Sequence, residues 1–325
     1  MRPAFSVVLL TTLIGVGQGL FLALFTTEVY ASIGLLPAQN AAFFVRGSVI
    51  AATFLCAGLV ASFFHLGHPE RAWRAATKWR TSWLSREVIA LPVATGTIIL
   101  YGLVHYLRWT VVLPDGRGAL HDIVPLVVGA VAVVATLALF LCTGMVYACI
   151  RFLQEWATWL TVMNYLLFGL ASGFVLASAY TAYQSPQLEG FLATWATVIT
   201  AAALVTRSAS LIRNARIRHK SSPQTAIGVR HARITQMAQG SMGGSFNTRE
   251  FFHGVGPGLL RSLKWLFLLL VFPLPVLLLW WGMMLRIPAL VLIAFVVQYF
   301  GLLVERWFFF AQANHPQNLY YQAVS

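Results

Sequence analysis

Apolar residues fall in eight long runs separated by polar connections, near Phe5 to Val29, Val45 to Leu66, Val88 to Leu107, Val124 to Ile150, Leu160 to Tyr180, Phe191 to Ile212, Trp265 to Leu285 and Ala289 to Phe310. Each is close to the roughly 20 residues that a helix needs to cross bilayer hydrocarbon. The pattern predicts an all-α integral membrane protein over residues 1–325, with eight transmembrane helices packed as helix bundles in one anchor domain. The first run follows only Arg2 and continues far enough to read as a retained span, not a cleaved signal peptide. Gly15 and Gly19, and again Gly169 and Gly173, carry the small-xxx-small spacing of closely packed helices. Composition agrees: 59% of the 325 residues are hydrophobic, 10% are charged, and the mean hydropathy is +0.76. A chain this apolar cannot be a soluble core wrapped in a polar surface.

Charge orients the spans. With eight crossings, both termini and the second, fourth and sixth connections share one side. That side takes all of the 22 Lys and Arg except Arg46, Arg108, Arg117 and Arg286, counting Arg207 with the sixth connection and Arg306 with the C-terminus. The positive-inside rule then places both termini in the cytoplasm. The net charge of +13 therefore belongs mainly to a cytoplasmic surface beside the membrane. No nucleic-acid module accompanies it, so anionic lipid headgroups and an acidic protein partner are the expected counterparts.

The stretch FFHLGHPERAWRAATKWRTSWLSREVIA, residues 63–90, concentrates titratable and aromatic groups between the second and third spans. A quinone needs hydrogen-bond donors at its carbonyls and, as a quinol, acceptors for its protons. His65 can serve in either sense, because its ordinary pKa lies near 6.5. Glu87, at the opening of the third span, can relay protons to water, and ionisable groups this close to hydrocarbon are functional candidates by default. The competing reading makes Glu87 a helix-terminal carboxylate favoured by free backbone N–H groups, with Ser85 as the cap. Arg71, Arg80 and Arg86 could bind the same ligand or serve as positive-inside anchors. Trp73, Trp79 and Trp83 would then form an interfacial belt.

Other chemistry is sparse. Cys56, Cys142 and Cys149 all lie within predicted spans and make no CxxC pair, so no iron–sulfur cluster is expected in this chain. A haem would need paired histidines; His105 and His121 near the outer face are the one candidate pair, against the commoner reading of interfacial histidines. No Walker loop, GxSxG elbow or HExxH occurs. Inside the spans, Gln18 can bridge two helices or donate to a quinone. Asn164 lies about a turn into the fifth span at the depth of His65.

The segments RPAFSVVLLTTLIGVGQGLFLALFT, FHLGHPERAWRAATKWRTSWLSREV, RFLQEWATWLTVMNYLLFGLASGF, TAIGVRHARITQMAQGSMGGSFNTREFFHG and ANHPQNLYYQAVS resemble the DmsC family, the membrane-anchor subunits of dimethyl sulfoxide reductase-like molybdoenzymes. They run from Arg2 to Ser325. The resemblance implies a haem-free, eight-helix anchor in a bacterial inner membrane. Its implied partners are a molybdopterin catalytic subunit and a subunit with four iron–sulfur clusters, and it would exchange electrons with ubiquinone or menaquinone. It also associates the histidine of FHLGHP and the glutamate of SREV, here His65 and Glu87, with the quinol site. The best-known member carries its catalytic subunits outside the membrane, whereas the charge count here favours the cytoplasm. The chain is in this respect more similar to the SoeC-like anchors of cytoplasm-facing sulfite dehydrogenases, in which sulfite oxidation reduces quinone. Sulfoxide reduction by quinol is the alternative expectation, a passive structural anchor a further one, and a secondary transporter the last, because the spans hold little midplane charge.

The sixth connection, residues 213–263, is too long for a turn. Its composition alone fits disorder, but the favoured reading is docking, with Arg230, Arg233, Asn247 and Arg249 binding the iron–sulfur subunit. Phe246, Phe251 and Phe252 would supply apolar anchors for that docking.

Overall fold

The computed structural model describes residues 1–108, 123–218, 222–235, 251 and 253–316, together with the backbone of 111–112 and 119–120. Its helices are α1 (Phe5–Ser32), α2 (Ala41–Phe63), α3 (Trp83–Leu107), α4 (Ile123–Ala148), α5 (Trp159–Gln184), α6 (Glu189–Ala215), α7 (Pro223–Ile227), α8 (Pro257–Val271), α9 (Pro273–Leu285) and α10 (Pro288–Ala311). Taking α8 and α9 together as one crossing, eight helical segments among the described residues are long and apolar enough to span a membrane. A two-residue antiparallel ladder, Val111 opposite Leu120 and Val112 opposite Ala119, lies between α3 and α4.

Helices α1 to α4 form one four-helix bundle, and α5, α6, α8–α9 and α10 form a second. The bundles join mainly through α1 and α5, the two most enclosed helices, in which 78% and 72% of the apolar window is buried. The glycines set that junction. A Cβ added at Gly15 would lie 3.4 Å from Gly169 Cα, and one added at Gly19 or Gly173 would overlap the facing backbone of the other helix. The two small-xxx-small motifs therefore face each other and bring two backbones into direct contact. Gln18, between these glycines, donates from Nε2 to the Thr136 carbonyl of α4 at 3.1 Å, which is the helix-bridging alternative.

Local signals explain the ends. The Asn40 side chain caps α2 at Phe43 N, Thr158 caps α5 at Leu160 N, and Pro257, Pro273 and Pro288 begin their helices. The α3 cap is Ser82, whose hydroxyl accepts from Ser85 N at 3.3 Å, instead of the expected Ser85. Helix α3 accordingly starts about a turn earlier than the apolar run. The seventh crossing differs more: it begins at Pro257, well before the expected Trp265, and breaks at Phe272. Pro275 cannot donate to the Val271 carbonyl one turn back. Fully buried Gln298 of α10 supplies that bond instead, at 3.1 Å.

Arg207 and Arg306, which the charge pattern assigned to connection and terminus, lie within α6 and α10 and are 1% and 3% exposed. Glu305 joins them: its carboxylate is 2.8 Å from Arg207 Nη2 and 3.5 Å from Arg306 Nε. Phe267 and Phe308 flank the Arg207 guanidinium. The charges tolerate burial because they occur as a cluster contributed by two helices. The Met1 amine donates to the Ala311 and Ala313 carbonyls, so the described ends of the chain meet at one end of the molecule.

Replacing Gly173 with Val should lower the thermal unfolding midpoint through a loss of about 1–3 kcal/mol. Gly96→Ala, where the added atom meets nothing within 4 Å, should not lower it, and equal midpoints for both variants would show that the crossing tolerates separation. Glu305→Gln strands two buried cations and should cost about 3–5 kcal/mol. Glu70→Gln, in an exposed pair with Arg71, serves as its control in the same melt.

Candidate functional site

Helix α2 ends at Phe63, and His65 follows in a turn closed by its N–H to the Ser62 carbonyl. The chain then runs as an exposed 3₁₀ segment, Pro69–Lys78, before Ser82 starts α3. His65 and Glu87 thus occupy the same end of the first bundle. His65 is exposed at its rim, and partial burial of its ring holds it below the usual histidine range. Glu87 is 9% exposed and points into the protein, where the Thr143 hydroxyl of α4 donates to its Oε1 at 2.7 Å. Its place in the second turn of α3, behind the Ser82 cap, removes it from the free N–H groups that the capping reading required.

The arginines of the connection are engaged locally. Arg71 approaches Glu70 at 3.6 Å, and Glu70 also meets His68 Nδ1 at 3.0 Å. Arg80 lies over the Trp79 ring. Arg86 lies over Trp83 and donates to the Trp79 and Arg80 carbonyls at 2.9 and 2.8 Å, fastening the connection to the start of α3. All three side chains are thus held by neighbours within the connection.

Beyond Glu87, a polar path leads into the second bundle that single-residue reasoning missed. Tyr147, one turn after Thr143 on α4, stacks on Tyr165 of α5 with ring centroids 5.4 Å apart. The Arg306 guanidinium lies 3.8 Å from the Tyr165 ring centroid and continues to Glu305 and Arg207. A small cavity among α1, α4, α5 and α10 touches Gln18, Thr143, Tyr165 and Arg306. Asn164 is 4% exposed beside Tyr165 in sequence. Its Oδ1 and Arg306 Nη1 are buried without a hydrogen bond from the protein, which leaves polar capacity for an ordered water. Thr and Tyr are ordinary in spans; the signal that could have revealed them is the i, i+4 pairing of Thr143 with Tyr147 on the face toward α5.

His105 lies at the far end of α3, buried against Phe44 and Tyr101 with Nε2 facing Glu28; its suggested haem partner His121 lies outside the described residues. Arg230 and Arg233 are exposed after the short α7. Asn247, Arg249, Phe246 and Phe252 lie outside the described residues. Phe251, expected as a docking anchor, stacks on His315 with ring centroids 3.6 Å apart.

The family model described as the DMSO reductase anchor subunit (DmsC) matches residues 1–320. A sulfite dehydrogenase subunit of Allochromatium vinosum is 56% identical over 325 residues, covering 100% of both chains. Eight apolar helices of membrane-spanning length among the described residues agree with a family match along nearly the whole sequence. The chain belongs to the DMSO reductase anchor subunit (DmsC) family.

Proposed function

We propose that this chain is the quinone-reactive membrane anchor of a molybdopterin and iron–sulfur oxidoreductase that oxidises sulfite and reduces quinone. The observation that carries the reading is Glu87, a carboxylate buried against Thr143 at the same end of the bundle as the exposed His65. The full-length similarity to the Allochromatium vinosum sulfite dehydrogenase subunit supplies the substrate. A catalytic partner would convert sulfite and water to sulfate, two protons and two electrons. Iron–sulfur clusters in a second partner would carry the electrons to this site. Quinone takes two electrons and two protons to become quinol.

The residues here serve the proton half of that exchange. His65, neutral near pH 7 because its pKa lies below the ordinary value, can donate a hydrogen bond to a quinone carbonyl and re-equilibrate with water. Glu87 can carry a proton between water and the second oxygen, and Thr143 fixes its orientation. Gln18, Asn164 and Arg306 border the interior side. Arg71, Arg80 and Arg86 hold the connection at the interface. The partners would dock on the surface formed by residues 63–90 and the sixth connection, with Arg230, Arg233, Asn247 and Arg249 binding the iron–sulfur subunit. By the positive-inside rule that surface faces the cytoplasm of a bacterial inner membrane. The family description favours one second reading, quinol oxidation coupled to sulfoxide reduction, which would use the same groups in reverse.

In the assembled complex, His65→Ala and Glu87→Gln should each lower quinone-linked sulfite turnover by about 10²-fold or more. Turnover with an artificial dye that accepts electrons directly from the soluble subunits should remain. Intact quinone turnover in both variants would leave the chain a passive anchor. A fluorescent protein fused to the C-terminus should glow and a fused alkaline phosphatase should stay inactive, the reverse result placing the docking surface on the other side.

A further inference from the structure

At the end of the first bundle opposite His65 and Glu87, the closing turns of α1 and α3 and the opening turns of α2 and α4 enclose a cavity of about 430 Å³. That volume lies within the range of small-molecule sites. Glu28 and His105 form its inner polar wall, with side chains 12% and 9% exposed. The Tyr101 hydroxyl donates to Glu28 Oε2 at 2.6 Å. His105 stacks on Phe44 with centroids 4.4 Å apart, and its Nε2 lies 3.1 Å from Glu28 Oε1 without the alignment of a hydrogen bond. A cluster that only tied α1 to α3 would need the Tyr101 bond and no cavity. Here a buried carboxylate and an unsatisfied imidazole nitrogen border a space large enough for a ring.

The cavity continues toward lipid. A second lobe of about 310 Å³ shares Ala41, His105 and Arg108 with it, and leads past Val45 and Tyr106 into an apolar furrow of about 580 Å³ between α2 and α3. Val49, Val60, Ile99 and Leu103 line this furrow and are 60%, 56%, 51% and 43% exposed. The combined shape suits an amphiphile with a compact polar head and a long hydrocarbon tail. A phosphate head would meet the exposed Arg46 and Arg108 of the outer lobe and not the inner wall formed by Glu28 and His105. A neutral ring bearing carbonyls or hydroxyls fits instead, because Glu28 accepts from a hydroxyl and His105 can donate to a carbonyl.

We propose that this is a second binding site for a prenylated quinone or quinol, its ring beside Glu28 and His105 and its tail along the α2–α3 furrow. The site is independent of His65 and Glu87. It rests on the preceding reading only in taking its ligand from the membrane quinone pool, and binding alone is assigned to it.

The test is photolabelling of the assembled complex in nanodiscs with an azido-quinone carrying a short prenyl tail, followed by peptide mass spectrometry. Label should appear on peptides covering residues 41–60 and 99–108 and be displaced by excess unlabelled quinone. Glu28→Gln and His105→Ala should each reduce it at least fivefold while label on residues 63–90 persists. Val49→Trp obstructs only the furrow, leaves the polar groups in place and should give the same loss, so the result does not depend on the folding of the interior variants. Label confined to residues 63–90, label that survives all three substitutions, or displacement by phospholipid but not by quinone would overturn the second site. Label in the furrow with none on residues 63–90 would support this site and instead remove the assignment of His65 and Glu87.

Discussion

The contact between α1 and α5 is the constraint on which the other positions depend. Within hydrocarbon, burying an apolar side chain against protein gains little over leaving it in lipid, so association relies on close packing and on polar bonds between helices. Gly15 and Gly19 against Gly169 and Gly173 supply the packing, and Gln18 bonding to Thr136 ties the third participant, α4, to the same seam. Because α4 and α5 are both referenced to α1, Thr143 and Tyr147 meet Glu87 on one side and Tyr165 on the other. The polar path between the two bundles follows from that seam. A wider crossing would separate Tyr147 from Tyr165 and open the buried carboxylate to lipid or water.

Much of this was legible in the order of residues. Run length alone located eight crossings, and the glycine spacing marked two helices for close approach. It could not say that those two helices pack against each other, since the motif describes a surface and not its partner. Pro257 was missed because Arg261 and Lys264 soften the start of α8, although charged side chains near a helix end can extend toward the interface while the backbone remains helical. The break at Phe272 was likewise hidden in an unbroken apolar run; what makes it tolerable is Gln298, which lies on another helix. Arg207 and Arg306 fell inside predicted runs but were counted with the adjoining connection and terminus. Charge in a short window suggests a span boundary, whereas the compensation for Arg207 comes from Glu305 across the bundle.

The site divides in the same way. Residue type and depth singled out His65 and Glu87 as candidates, and the arginines among the tryptophans make local contacts. Ser85 was the expected cap and Ser82 is the observed one, and this shift of three residues moves Glu87 from a helix terminus into the interior. Only the i, i+4 pairing of Thr143 with Tyr147 sets these residues apart from the many hydroxyl-bearing residues that bond back to their own helix, and it does not name the helices they meet. Their role arises only where three helices meet.

The glycine seam also has a consequence for biogenesis. Gly169 lies 150 residues after Gly19, a length of chain that takes roughly 8–30 s to synthesise. For that interval α1 is inserted with its small-residue face turned to lipid, and α2 to α4 gather around a helix whose glycine-matched partner does not yet exist. Newly made chains therefore pass through a defined half-assembled stage. Arrest or proteolysis then would act on a lone four-helix intermediate, before either the buried arginines or their glutamate have entered the bilayer.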